Sequence, residues 1–159
     1  MHQDSPAALA ATASVMNAGI VRAARQINHA EMAFHAAELQ DYCHSAQVKA
    51  GWWTDLATDQ DLRSLPGQTP RVNVPEKLML IVSEIAEAME AHRKGLKDDK
   101  LPHRDGLEVE LADALIRIFD LGGGLGLDLA GALVEKMAFN AARADHKPAN
   151  RRLPGGKAF

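Results

Sequence analysis

The sequence predicts an all-α fold. Apolar residues recur with helical spacing in most segments, and no stretch of strand length alternates Val, Ile and Thr with polar residues. Residues that start and stop helices flank these segments. With 159 residues, of which 47% are hydrophobic and 25% charged, the chain fits one globular domain. We therefore expect a bundle of four to five helices.

The first predicted helix covers residues 30–50, where apolar side chains alternate with Glu, Gln, Asp and Lys at a loose helical period. Gly51 follows, at the position where a helix often ends in a left-handed residue. Residues 1–29 are rich in Ala and form an N-terminal extension, with an extra helix expected to start near Ser5 and Pro6.

The second predicted helix begins at Asn73, since Glu76 three residues later resembles a capping box, and it ends at Gly95. Before it, residues 52–74 contain prolines and no sustained period, which predicts a long connection. A loop of this length is usually functional or mobile.

A third helix is expected over residues 105–121, stopping at the glycines 122–124, and a fourth from its cap at Asp128 to about Ala144. The main helical domain is thus residues 30–146. Residues 147–159 form a basic tail with two prolines, which we expect to be non-helical.

Two apolar stripes are predicted to face the core. Their members are Leu78, Ile81, Val82, Ile85 and Met89 on the second helix, and Leu107, Leu111, Ala114, Leu115 and Ile118 on the third.

Composition limits the partners of the chain. Its 18 Lys and Arg against 21 Asp and Glu give a net charge of −3, so we expect no binding to a nucleic-acid polymer. No run approaches the ~20 apolar residues of a membrane span. The single cysteine, Cys43, excludes an internal disulfide, fits a cytoplasmic protein and is expected to be buried.

Acid pairs on two consecutive helices are the strongest chemical signal. Glu84 and Glu87 are neighbours at i and i+3 on the second helix, and Glu110 and Asp113 repeat the spacing on the third. One such pair usually belongs to a solvated helix face, where water screens the repulsion between its charges. Away from water, the two like charges repel unless a cation lies between them. Two pairs on helices joined by a short linker favour a metal site. Four carboxylates suit Mg²⁺, with Mn²⁺ as a substitute, better than zinc.

Other residues are candidates for substrate binding. Lys136, Asn140 and Arg143 share one face of the fourth helix and could grip phosphate oxygens, although an isolated cationic face is more often solvated. Trp52 and Trp53 could stack on a nucleobase, anchor their loop or contact another subunit. Lys157 in the basic tail is a further phosphate candidate.

These motifs resemble those of the MazG-like, all-α nucleoside triphosphate pyrophosphohydrolases. The resemblance rests on Glu84-x-x-Glu87, 22 intervening residues and Glu110-x-x-Asp113. Lys136-x-x-x-Asn140-x-x-Arg143, the tryptophan pair after Gly51 and the closing Gly-Gly-Lys support it, and it covers about residue 30 to the C-terminus.

The resemblance implies a Mg²⁺-dependent enzyme that cleaves the α–β phosphate bond of a nucleoside triphosphate and releases a monophosphate and pyrophosphate. The four acids would hold the metal, and Glu87 or Glu84 would act as the base. It also implies a homodimer or homotetramer whose helices enclose the site. Two alternatives stay open: phosphoribosyl-ATP pyrophosphohydrolase activity, and a catalytically silent bundle that binds nucleotides or a partner.

Overall fold

Helices supply all the regular elements of the described residues. The structure is a computed structural model and describes residues 28–63 and 67–157. Its helices are α1 (His29–Lys49), α2 (Val74–Lys94), α3 (Gly106–Leu125), α4 (Leu129–Ala142) and α5 (Pro148–Arg151). The predicted all-α class is confirmed for this part of the chain. The extra helix expected near Ser5 lies outside the described residues.

Side-chain caps fix the starts of the first two helices. Asn28 and Glu31 form a complete capping box on α1, in which the Asn28 Oδ1 accepts a hydrogen bond from the Glu31 N–H at 2.9 Å. On α2 the Asn73 Oδ1 accepts from the Glu76 N–H at 3.2 Å. Gly95 ends α2 in the left-handed conformation, with φ of 65°. Both helices therefore lie within a residue of their predicted bounds.

The glycine run does not end α3, so the prediction of a stop at residues 122–124 was wrong. The helix continues to Leu125 and ends at the left-handed Gly126. The three glycines let other parts of the chain approach α3 closely. A methyl group at Gly122 would meet Leu129, one at Gly123 would meet His44, and one at Gly124 would meet the Trp53 ring. Tertiary packing here outweighs the poor helix propensity of glycine.

The C-terminal region is more helical than predicted. Helix α4 ends at Ala142, two residues before the expected end, because Arg143 is extended. A 3-10 turn follows at Ala144–His146, and α5 covers Pro148–Arg151. The prediction of a non-helical tail was therefore wrong for these four residues. Pro148 starts the short helix, since proline is well tolerated in a first turn.

Helix α3 lies at the centre of the bundle and packs against α1 and α2, while α1 also packs against α4. The buried apolar side chains are mostly small: Ala36, Cys43, Trp53, Ala88, Ala91, Ala114, Leu121 and Ala130. Trp53, 1% exposed, is the largest fully buried side chain of the described residues. Burial of Cys43 confirms that prediction and raises the pKa of its thiol. None of the described helices has the length and hydropathy that a bilayer span needs.

The two predicted core stripes lie largely on the surface of the single chain, so their assignment to its core was wrong. Exposed members are Leu78, Val82, Ile85 and Met89 of α2 and Leu111, Leu115 and Ile118 of α3. Helix α2 instead buries Ala88, Ala91 and Glu84. The small alanines allow a close approach to α3. The larger apolar side chains remain exposed and form an apolar surface on the single chain.

The contact between Gly124 and Trp53 predicts a destabilising Gly124→Ala substitution. The new methyl group would overlap the indole ring, at an expected cost of about 1–3 kcal/mol even though alanine is the better helix former. Urea denaturation of Gly124→Ala, Trp53→Phe and the double variant measures this. The double variant should lose about 1 kcal/mol less unfolding free energy than the two single variants lose in sum. Additive single effects would show that the ring can move aside.

Candidate active site

Three carboxylates of the predicted set converge between α2 and α3. One oxygen from each of Glu84, Glu87 and Glu110 lies within 4.8 Å of the other two. The geometry follows from the sequence, because Glu84 and Glu87 are one turn apart on α2 and the packing of α3 brings Glu110 opposite them. Asp113, one turn further along α3, lies beside this triad without being part of it.

The electrostatics of the cluster favour a bound cation. Burial, and then the negative charge of Glu87, raise the pKa of the Glu110 carboxyl to about 7. Burial, and then the charge of Glu84, also raise the pKa of Asp113 above its usual range. Each carboxyl is harder to ionise because its neighbours are negatively charged. A cation bound between them would stabilise the ionised forms.

Arg117 of α3 supplies the cationic contact to this cluster. Its Nε donates a hydrogen bond to the Glu84 Oε1 at 2.6 Å. Glu84 is 6% exposed, so its charge is removed from water and needs such a partner. Among the ion pairs of residues 28–63 and 67–157, no other includes one of the four predicted metal ligands.

Whereas Glu87 and Glu110 border a separate hollow, Asp113 beside them lines a cavity of about 250 Å³. Its wall includes Gln47, Trp52, Lys77, Asp113, Arg117 and Asp120. The last three belong to one face of α3, at i, i+4 and i+7, so the cavity follows that helix for two turns. It combines an aromatic ring, an amide, two cations and two acids. This lining can hold a small polar molecule that carries a ring.

A buried hydrogen-bonded cluster closes the end of the cavity opposite Asp113. The Asp120 Oδ1 accepts hydrogen bonds from the Trp53 Nε1 at 2.5 Å and from the His44 Nδ1 at 3.0 Å. The Lys77 Nζ lies 3.4 Å from the Asp120 Oδ2 and 4.1 Å from the centre of the Trp53 ring. Asp120 thus joins α1, the loop and α2 to α3.

The two tryptophans have different positions. Trp53 is enclosed by its hydrogen bond to Asp120 and its contact with Gly124, so it anchors the loop, which was one of the alternatives. Trp52 is 67% exposed and borders the cavity, where its ring is accessible to a ligand. Of the pair, only Trp52 is placed to stack on a base.

The three residues predicted to bind phosphate from the fourth helix do not line this cavity, and one of them, Arg143, lies beyond the end of α4 in an extended conformation. Arg143 pairs with Asp145, with a distance of 2.6 Å between Nη2 and Oδ2, and Lys157 pairs with the same carboxylate at 2.7 Å. The Lys136 Nζ lies 5.0 Å from the Phe139 ring. The Asn140 Oδ1 is buried and accepts no hydrogen bond within the described chain. The structure thus brings Arg143 and Lys157 together at Asp145, and neither lines the cavity.

Comparison of the chain with protein-family models, with curated proteins and with solved structures finds no match.

Four polar residues of the cavity wall were not predicted from the sequence: Gln47, Lys77, Arg117 and Asp120. The spacing of two of them could have indicated the site, because Arg117 and Asp120 extend the charged face of α3 by two turns beyond Asp113. Charged residues on a helix that is otherwise apolar are unusual at central positions. Lys77 lies about two turns before Glu84 on α2, and only the packed structure relates it to α3.

The raised pKa of Glu110 predicts how stability depends on pH without metal. A carboxyl whose folded pKa is raised contributes stability below its ordinary pKa of 4.5, and this contribution is lost as the pH rises through about 7. In EDTA, the wild type should therefore lose stability relative to Glu110→Gln between pH 5 and 8. Thermal denaturation across this range measures the difference.

Glu135→Gln is the matched control, since Glu135 is exposed on α4. Its stability should follow that of the wild type at each pH. If Glu110→Gln shows the same pH profile as Glu135→Gln, the Glu110 pKa is not raised.

Proposed function

We propose that the protein is a Mg²⁺-dependent nucleoside triphosphate pyrophosphohydrolase, as the resemblance to MazG-like enzymes implies. The supporting observation is the convergence of three carboxylates beside Asp113, because Asp113 also lines the cavity on whose wall the exposed ring of Trp52 lies. A nucleotide has matching parts, since its phosphates need a metal and its base needs an apolar surface.

The carboxylate cluster suits the cation that this activity requires. Glu84, Glu87 and Glu110 offer oxygen atoms within 4.8 Å of one another, and oxygen is the ligand that Mg²⁺ and Mn²⁺ prefer. Burial, and then the negative charge of neighbouring glutamates, raise the pKa values of Glu110 and Asp113, so a cation beside them would stabilise their ionised forms. These three glutamates would hold the metal, with Asp113 beside them.

The proposed reaction needs no covalent intermediate. A divalent cation held by these glutamates would neutralise phosphate charge and make a nearby water molecule easier to deprotonate. Glu87 is the exposed member of the triad, so water reaches it, and we assign it the role of general base. Water adds to the α-phosphorus, its proton passes to Glu87, and the bond to the bridging oxygen breaks. Nucleoside monophosphate and pyrophosphate leave.

The other parts of the cavity would position the nucleoside. Trp52 offers its ring to the base, and the Gln47 side chain carries both a donor and an acceptor of hydrogen bonds. Behind them, the hydrogen bonds of Asp120 join His44 and Trp53 to α3. A pocket held by such a network loses little entropy when a ligand binds.

We also propose a homodimer or homotetramer, because a second copy would cover the exposed apolar stripes of α2 and α3. On α2 the exposed residues recur with alternating spacings of four and three, as in helices that pack along a seam: Leu78, Val82, Ile85 and Met89. Assembly would also allow Lys136, Asn140 and Arg143 of one subunit to approach the carboxylates of another.

The proposed activity predicts pyrophosphate release from at least one nucleoside triphosphate, with full dependence on Mg²⁺ or Mn²⁺. A panel of ribo- and deoxyribonucleotides, together with phosphoribosyl-ATP, measures this. Glu87→Gln should lower kcat by about 100-fold or more, because the base is lost while the fold is kept. Its circular dichroism should remain helical.

Glu135→Gln again serves as control and should keep full activity. No pyrophosphate from any substrate would contradict the enzyme and favour the silent binding bundle. Activity on phosphoribosyl-ATP alone would favour the alternative of a phosphoribosyl-ATP pyrophosphohydrolase. Full activity of Glu87→Gln would overturn the assignment of the base.

The proposed assembly predicts that the wild type is a dimer or tetramer at micromolar concentration and that Ile85→Glu dissociates it. A carboxylate in the middle of the α2 stripe would be buried without a partner in the interface. Light scattering after size exclusion measures the mass. Leu56→Glu, on a residue exposed in the loop, should leave the assembly intact. A monomeric wild type would contradict the proposal.

A further inference from the structure

Arg117 connects the carboxylates with the cavity. Its side chain is 43% exposed, whereas that of its partner Glu84 is 9% exposed. The guanidinium therefore reaches from the cavity to a carboxylate that is nearly closed off from water. Because the exposed side of the pair borders the cavity, a ligand there can compete for the arginine.

The position of Arg117 on α3 is intermediate between the two ends of the cavity. Asp113 lies one turn before it, near Glu84 and Glu110, and Asp120 lies about one turn after it, bonded to Trp53. A nucleotide with its phosphates at the carboxylates and its base at Trp52 would pass Arg117 with its phosphate chain.

We propose that Arg117 is a phosphate-binding residue that exchanges Glu84 for a phosphate oxygen when the substrate binds. This inference rests on the proposed function. Without a metal, Arg117 compensates the buried charge of Glu84. Once a divalent cation compensates that charge, the guanidinium is free to turn to the substrate. Its planar fork and permanent charge suit phosphate oxygens.

The other cations of the described chain are less well placed for this role. Lys77 lines the same cavity, but its Nζ contacts Asp120 and the Trp53 ring at the opposite end. Lys136 and Arg143 do not line it, and Arg143 is paired with Asp145. Arg117 alone, among residues 28–63 and 67–157, both borders the cavity and pairs with a proposed metal ligand.

The test separates phosphate binding from a structural role at Glu84. Isothermal titration measures three affinities: Mn²⁺ alone, the parent nucleoside, and the α,β-methylene triphosphate of that nucleoside with Mn²⁺. The nucleoside is the one preferred in the substrate panel. Arg117→Gln should lower the affinity for the triphosphate analogue by tenfold or more, because a charge-assisted hydrogen bond is lost. The nucleoside should bind within twofold of wild type, and Mn²⁺ alone equally or more tightly.

Arg104→Gln is the matched control, since Arg104 forms a surface ion pair with Glu108 at 2.9 Å beside the start of α3. It should change none of the three affinities. Arg117→Lys keeps the charge beside Glu84 but lacks the fork, so the analogue should bind at least threefold more weakly with Mn²⁺ binding retained. This variant decides the question if Arg117→Gln does not fold.

Two results would overturn the inference. Wild-type affinity for the analogue in Arg117→Gln or Arg117→Lys would show that the arginine does not bind phosphate. Equal losses for Mn²⁺ and for the analogue would show that Arg117 acts only by positioning Glu84. Failure of the wild type itself to bind Mn²⁺ and nucleotide would instead contradict the proposed function.

Discussion

The buried carboxylate of Asp120 is the constraint on which the arrangement of the bundle depends. A charge withdrawn from water is tolerated only when hydrogen bonds replace its solvation, and here His44, Trp53 and Lys77 provide them or lie close by. These partners come from α1, the following loop and α2, so one side chain of α3 sets where three other segments lie. The cavity is the space left between the segments that Asp120 holds together.

Glycine makes this arrangement sterically feasible. Trp53 reaches Asp120 because its ring lies directly on the backbone of α3 at Gly124. His44 approaches in the same way at Gly123. A helix with ordinary side chains at these positions would hold the indole and the imidazole at a greater distance. The glycine run and the buried carboxylate are therefore two parts of one packing solution.

The local signals in the sequence predicted the helices well. Asn73, Gly95 and Asp128 each act where the pattern placed them, because capping depends on neighbours along the chain. The convergence of Glu84, Glu87 and Glu110 followed from helical spacing and a short linker. These features need no knowledge of distant contacts.

Features that depend on distant contacts were not predictable in this way. The run at residues 122–124 suggested a helix end, since glycine propensity is local and the facing Trp53 is not. The apolar stripe of α2 suggested a core, since periodicity identifies a face but not what covers it. Arg117 was overlooked because its pairing with Glu84 exists only across two packed helices.

The burial of Cys43 has a practical consequence for following motions of the bundle. Its thiol lies on α1, and burial raises its pKa, so little reactive thiolate is present in the folded chain. A thiol reagent can modify it only after the helices separate locally. As the sole cysteine of the chain, it is a built-in reporter whose labelling rate would measure how often α1 opens, without any introduced probe.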